Sequence, residues 1–170
     1  MKIILGLGGN EGDRIGLLRA AVRVLAFSVP GLRVLAASPL YESDALLPAH
    51  APSDGSWNLP FLNLALECET RLEPAELLAA LKAAERRLGR VDRERWAPRR
   101  IDIDILAFAE GFVRTAGLEI PHPGLLERPF ALLPLLDLWP RWSHPTDAAR
   151  AGTLAEAWRC SPPEKVPSRT

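Results

Sequence analysis

The sequence predicts an α+β fold, an antiparallel sheet with helices packed on it, and three observations carry that reading. Phe61 to Thr70 and Ile101 to Phe108 alternate apolar and polar residues with the period of a strand. Two other segments repeat apolar residues at spacings of three and four, as an amphipathic helix does. The segments follow one another as β-α-β-β-α-β, the split βαβ, ferredoxin-like order.

Lys2 to Leu7 reads as a buried strand running into glycines. From Asp13, the residues Ile15, Leu18, Val22 and Leu25 mark a helix that Pro30-Gly31 stops. Arg33 to Tyr41 is the second strand, and a polar, proline-bearing loop, Glu42 to Pro60, follows it. In the third strand, Phe61 to Thr70, Leu62, Leu64, Leu66 and Cys68 share one face. Pro74 suits the first turn of a second helix with Leu77, Leu78, Leu81 and Leu88 as its stripe, and Gly89 ends it. An arginine-rich stretch leads into the fourth strand, Ile101 to Phe108. Beyond this core come an extended piece at Leu118 to Ile120 and a helical stretch at Pro129 to Leu136 that Pro134 is expected to interrupt. A last helix is expected at Thr153 to Trp158, then a flexible tail over 161–170. One domain over 1–160 accounts for all of it.

Apolar residues make up 48% of the chain and charged ones 25%, an ordinary globular composition. The 21 basic residues balance 21 acidic ones, so no global field recruits nucleic acid or an anionic membrane. A local basic cluster does exist, between Arg86 and Arg100. Cys68 and Cys160 form neither a metal spacing nor a disulfide framework. The start, MKIILGLGGNEGD, turns polar too soon for a signal peptide, and no apolar run approaches the roughly 18 residues of a membrane span. A cytoplasmic protein without nucleic-acid or membrane partners is expected.

The stretch RWAPRRIDIDIL, Arg95 to Leu106, carries the most chemistry. Alternation puts Asp102 and Asp104 on one face and Ile101, Ile103 and Ile105 on the other. Acids two residues apart on a strand lie about 7 Å apart, close enough to converge on one or two cations such as magnesium. A bare D-x-D is more often a solvated strand face, but arginines and a tryptophan beside it are what a polyphosphate site needs. GLGGNEGD fails as a dinucleotide fingerprint, because Glu11 holds the third glycine position, and as a phosphate loop, because no Gly-Lys-Ser/Thr follows. It suffices as a tight strand-to-helix turn capped by Asp13, with Asn10 free to face a site. His50 and His144 read as surface or structural residues, while His122 stands six residues before Arg128. Glu85 lies on or beside the buried stripe of the second helix and needs a partner, Arg86 or Arg90, or else a ligand. Asn63 shares its strand face with Phe61. Both it and the aromatics Trp96 and Phe130 fit either a core or the clamp of a flat heterocycle.

Taken together, GGN with Gly-Asp, FLN, ERRLGR, RWAPRRIDIDIL and IPHPGLLERPF occur in the order seen in one family. From Ile3 to about Trp142 the chain resembles the 6-hydroxymethyl-7,8-dihydropterin pyrophosphokinases of folate biosynthesis. The resemblance implies a ferredoxin-like core and a Mg-dependent diphosphotransferase. ATP is the co-substrate, attack falls on its β-phosphorus, the pterin hydroxymethyl group accepts the diphosphate, and AMP leaves. It implies two magnesium ions on Asp102 and Asp104, with Arg99 and Arg90 completing the catalytic set. ATP would be bound by Glu85, Trp96, Arg99, Ile105, His122 and Arg128, and the pterin by Asn63, Phe61, Phe130, Leu46 and Asp102. The Arg90 to Pro98 loop would close as a lid, and the protein would be a monomer. Departures are Gly9 where serine is common, a longer loop at 42–60, Asp92 in the lid and Gly117. Two rivals are weighed. A non-catalytic ferredoxin-like binding module would put stacking aromatics and basic residues where Asp102 and Asp104 stand. A nucleotide-sugar transferase would need a longer chain.

Overall fold

The computed structural model describes residues 1–109, 111–160 and 165–166. In chain order the core runs β1 (Lys2–Gly9), α1 (Arg14–Ser28), β2 (Leu32–Ala37), β3 (Leu40–Ser43), β4 (Phe61–Thr70), α2 (Pro74–Arg87) and β5 (Asp102–Phe108). A hairpin of β6 (Val113–Thr115) and β7 (Leu118–Ile120) follows, then a 3-10 turn at Leu125–Glu127, α3 (Pro129–Leu138), α4 (Ala148–Cys160) and β8 (Lys165–Val166). The main sheet runs β5-β1-β4, with β2 and β3 both pairing β4 on its far side and β8 pairing β3. Every pairing is antiparallel. This is the expected ferredoxin-like α+β core.

The expected second strand, Arg33 to Tyr41, is divided in two. Pro39 has no N–H to give the ladder. Ser38 bridges the break: its N–H donates to the Ala65 carbonyl at 2.9 Å and its Oγ accepts the Ala65 N–H at 2.9 Å.

One face of the sheet is a continuous apolar core. Ile3, Leu5 and Leu7 of β1, Leu62 to Cys68 of β4 in alternation, and Ile101, Ile103 and Ile105 pack under Leu18, Ala21 and Leu25 of α1 and Leu77 and Leu81 of α2. Each such leucine or isoleucine contributes about 1.5–3 kcal/mol by leaving water. Ile15, expected in the α1 stripe, is instead 43% exposed. The face that packs runs Leu18–Ala21–Leu25 and leaves the first turn at its edge. Asp13 caps that turn by accepting the Gly16 N–H at 3.0 Å. At α2, Glu73 N–H donates to Glu76 Oε2 at 3.0 Å, and Gly89 at φ 84° ends the helix.

The opposite face is covered by α3, α4 and the 3-10 turn through Leu125, Leu132, Leu135 and Leu136, packed on Ile4, Ala65, Leu106 and Ala107. Pro134 does not interrupt α3. It forfeits one backbone hydrogen bond, while its buried neighbours Leu132, Leu133 and Leu135 hold the helix on the sheet. α4 starts earlier than Thr153 because Asp147 supplies a start: its carbonyl accepts the Ala151 N–H and its Oδ1 accepts the Arg150 N–H. The expected tail over 161–170 lies outside the described residues, except Lys165 and Val166, which pair with Tyr41 and Leu40.

Candidate active site

The site lies on the α3 side of the sheet, where the second half of β1 presents no side chains. Leu5 and Leu7 point into the core, so the alternate residues Gly6 and Gly8 face α3. A Cβ at Gly6 would meet Leu106 Cδ1 at 2.9 Å, and one at Gly8 would meet Asn63 Oδ1 at 2.7 Å. The missing side chains leave a cavity of about 130 Å³. Its floor holds Asn63, Asp102, Asp104 and Leu106, and α3 contributes Phe130 and Ala131. Phe61, Asp44 and Leu46 wall one end, while Trp96, Arg99, His122 and Arg128 wall the other parts.

Asp102 sits at the junction. Arg99 Nη1 donates to its Oδ2 at 2.6 Å, and Arg90 Nη1 pairs with its Oδ1. The same Arg90 nitrogen lies 2.7 Å from Glu85 Oε1, yet it makes no well-angled hydrogen bond to either acid. Burial pushes the Asp102 carboxyl above the ordinary carboxylate range. The Arg99 charge pulls back, Asp104 adds to the rise, and Arg90 opposes it. Asp104 is more open, with its side chain 41% exposed and its Oδ1 3.8 Å from Lys82 Nζ.

Glu85, fully buried, works behind this pair. Its Oε1 accepts the Ile103 N–H at 2.7 Å and the Lys82 ammonium at 2.9 Å, so an acid on α2 satisfies the outer edge of β5. His122 is anchored by its N–H to the Leu106 carbonyl at 2.8 Å, and its Nδ1 accepts the Gly124 N–H at 3.0 Å. That bond leaves Nε2 as the protonated nitrogen of the neutral ring. Burial, chiefly, holds its pKa below the usual histidine value, so the ring is neutral at pH 7. Asn63 Nδ2 donates to Ser43 Oγ at 3.0 Å, which fixes the amide against the strand end. Trp96 adopts φ 77°, which costs a non-glycine residue about 1–2 kcal/mol, and the Arg95 guanidinium lies 5.0 Å from its ring centroid.

The cavity thus brings together Asn63, Phe61, Phe130, Leu46, Trp96, Arg99, Asp102, Asp104, His122 and Arg128. Glu85, Arg90 and Ile105 do not line it. The two charged residues lie behind Asp102, and the Ile105 side chain is buried in the core on the other face. Sequence reasoning missed Lys82, although its position three residues before Glu85 was a usable signal. It also missed Leu106, which alternation places beside Asp104. His50, read as a surface residue, is exposed but pairs with Glu94 at 3.5 Å.

The donor set suits magnesium. Two carboxylates share one strand face as hard oxygen donors, and the arginines beside them suit the phosphate oxygens that would share such a cation. Among the described residues no third histidine, cysteine or acid joins the pair to form a closed metal cluster. A hard cation held there would complete its shell with water and phosphate oxygens, which is how magnesium is usually held.

Fold and site together define a ferredoxin-like domain whose cavity joins a half lined by paired carboxylates and arginines to an aromatic half. The family model for 7,8-dihydro-6-hydroxymethylpterin-pyrophosphokinase matches residues 4–140, and the chain belongs to that family. It is 39% identical over 147 residues to a 2-amino-4-hydroxy-6-hydroxymethyldihydropteridine pyrophosphokinase of Aquifex aeolicus, covering 84% of this chain and 83% of that one. It is 42% identical over 139 residues to the enzyme of the same name from Methylorubrum extorquens, covering 82% and 83%. A Plasmodium falciparum HPPK-DHPS crystal structure shares the fold at a TM-score of 0.69 and 16% identity, across 92% of this chain. The chain spans 41% of that longer one. No helix among the described residues is long and apolar enough to cross a membrane.

Proposed function

We propose that the protein transfers the diphosphate group of ATP to the hydroxymethyl group of 6-hydroxymethyl-7,8-dihydropterin, releasing AMP, as a step of folate biosynthesis. The observation that carries this reading is the continuity of the cavity. Asp102, Asp104 and Arg99 stand in the same space as Asn63, Phe61 and Phe130, so a polyphosphate and a flat polar ring can meet there.

In this reading Asp102 and Asp104 hold two magnesium ions, which when bound neutralise the phosphate oxygens and make the acceptor hydroxyl more acidic. Arg99 and Arg128 contribute charge toward the triphosphate, and His122 offers its Nε2 proton as a neutral donor. Arg90 and Glu85 act from behind by fixing Asp102 and the Ile103 amide. Phe61 and Phe130 flank the pterin, Asn63 reads its polar edge, Leu46 adds to the pterin end and Trp96 to the nucleotide end. Transfer of this kind needs positioning and charge neutralisation more than covalent help. The reading includes a cytoplasmic setting.

The test is to incubate the protein with ATP, magnesium and the hydroxymethyl-dihydropterin and separate the nucleotides. AMP formed only when the pterin is present supports the reading. ADP, or unchanged ATP, overturns it.

A further inference from the structure

The GGN segment at the end of β1 has a structural logic that reaches both halves of the cavity. Gly8 leaves room for the Asn63 amide, and Gly9 lets the Arg99–Arg100 backbone come so close that an added Cβ would lie 2.3 Å from the Arg100 carbonyl oxygen. Asn10 follows and is 5% exposed. Its backbone N–H donates to the Arg99 carbonyl at 3.0 Å, and its Oδ1 accepts the Arg99 N–H at 2.9 Å. Its Nδ2 donates to the Leu59 carbonyl at 3.1 Å. One buried amide therefore grips the main chain on both sides of the site. On one side is the residue whose side chain holds Asp102. On the other is the end of the 44–60 loop, directly before Pro60 and Phe61.

We infer that Asn10 is a positioning residue that fixes Arg99 and Phe61 relative to each other, so that the nucleotide half and the pterin half of the cavity are held in register. The inference rests on the diphosphate-transfer reading for the identity of the two substrates. Asn10 touches neither of them. It acts through two backbone segments, 89 and 49 residues away in sequence, that have no other side chain in common among the described hydrogen bonds. A side-chain amide suits the task because it offers an acceptor and a donor at once, and the two contacts need opposite polarity.

Two variants separate the contacts. Asn10→Ala removes both. Asn10→Asp keeps an oxygen for the Arg99 N–H but sets a second oxygen against the Leu59 carbonyl, so it opens the pterin side alone. Three readouts apply: titration with a non-hydrolysable ATP analogue plus magnesium, titration with 6-hydroxymethyl-7,8-dihydropterin, and hydrogen exchange of the Arg99 amide in the free protein. Asn10→Ala is expected to weaken both ligands about tenfold, as loss of a buried hydrogen bond implies, and to speed Arg99 exchange. Asn10→Asp is expected to weaken the pterin by a similar factor while Arg99 stays protected. Asn10→Ala binding both ligands within about twofold of the parent, as a merely structural residue would, overturns the inference. So does Asn10→Asp releasing the Arg99 amide, and this arm decides the matter if the alanine variant does not fold. A parent protein that makes no AMP would sink the diphosphate-transfer reading, while the exchange rates and titrations would still decide the clamp.

Discussion

The two faces of the central sheet are made from the same strands and behave oppositely. Toward α1 and α2, Ile3, Leu5 and Leu7 of β1, Leu62, Leu64 and Leu66 of β4, and Ile103 and Ile105 of β5 are buried side by side, and the face is sealed. Toward α3, the same strands offer Gly6, Gly8, Asn63, Asp102 and Asp104, and the face opens into a cavity. The difference teaches how a rigid scaffold and a polar site share one strand. The isoleucines of β5 anchor it from below and fix the backbone that carries the aspartates, while Arg99 and Arg90 hold the Asp102 carboxylate.

The contrast predicts different losses on the two faces. The largest is catalytic: Asp102→Ala and Asp104→Ala are each expected to lower AMP production by about three orders of magnitude or more, on the scale of losing charge stabilisation at a reacting centre. Far-ultraviolet circular dichroism should remain that of the parent. Activity near the parent level would make the acids an ordinary solvated strand face. On the sealed face the loss is one of stability. Leu81→Ala, at a fully buried position, is expected to cost about 2–5 kcal/mol in denaturant unfolding, with kcat/KM unchanged well below the melting point. A catalytic defect without a stability defect would contradict this division of labour. The smallest effect lies on the open face. Gly8→Ala places a methyl against Asn63 Oδ1 and should raise the pterin KM about tenfold while leaving the ATP KM near its parent value. Equal loss on both substrates would mean that Gly8 serves the strand rather than the Asn63 amide.

Much of this was legible in the sequence because it is periodic. The alternation in IDIDIL assigned the aspartates and isoleucines to opposite faces, and the structure keeps that assignment. Leu77 and Leu81 of α2 and Leu62, Leu64 and Leu66 of β4 are buried as their spacing predicts, while Leu78 and Leu88 of the expected stripe are only partly buried. Short elements were less legible. The β6 and β7 strands have three residues each, too few for alternation to be recognised, and only Leu118 to Ile120 was anticipated. The division of the second strand at Pro39 follows from a missing N–H that could have been weighed. Glu85 pairs with Arg90 at 2.7 Å, as its position suggested, but its other role needed the fold: it accepts the Ile103 N–H, an edge group that no side-chain pattern announces. Asn10 was noticed as able to face a site, but its two-sided grip depends on segments brought together only by the sheet.

The most direct test of the central claim is phosphorus NMR of the reaction of ATP with the hydroxymethyl-dihydropterin, magnesium and the protein. The account predicts that the β- and γ-phosphorus atoms leave ATP together. Two mutually coupled resonances of a pterin diphosphate would then grow in step with AMP. A single phosphoryl resonance on the pterin, growing in step with ADP, would contradict it.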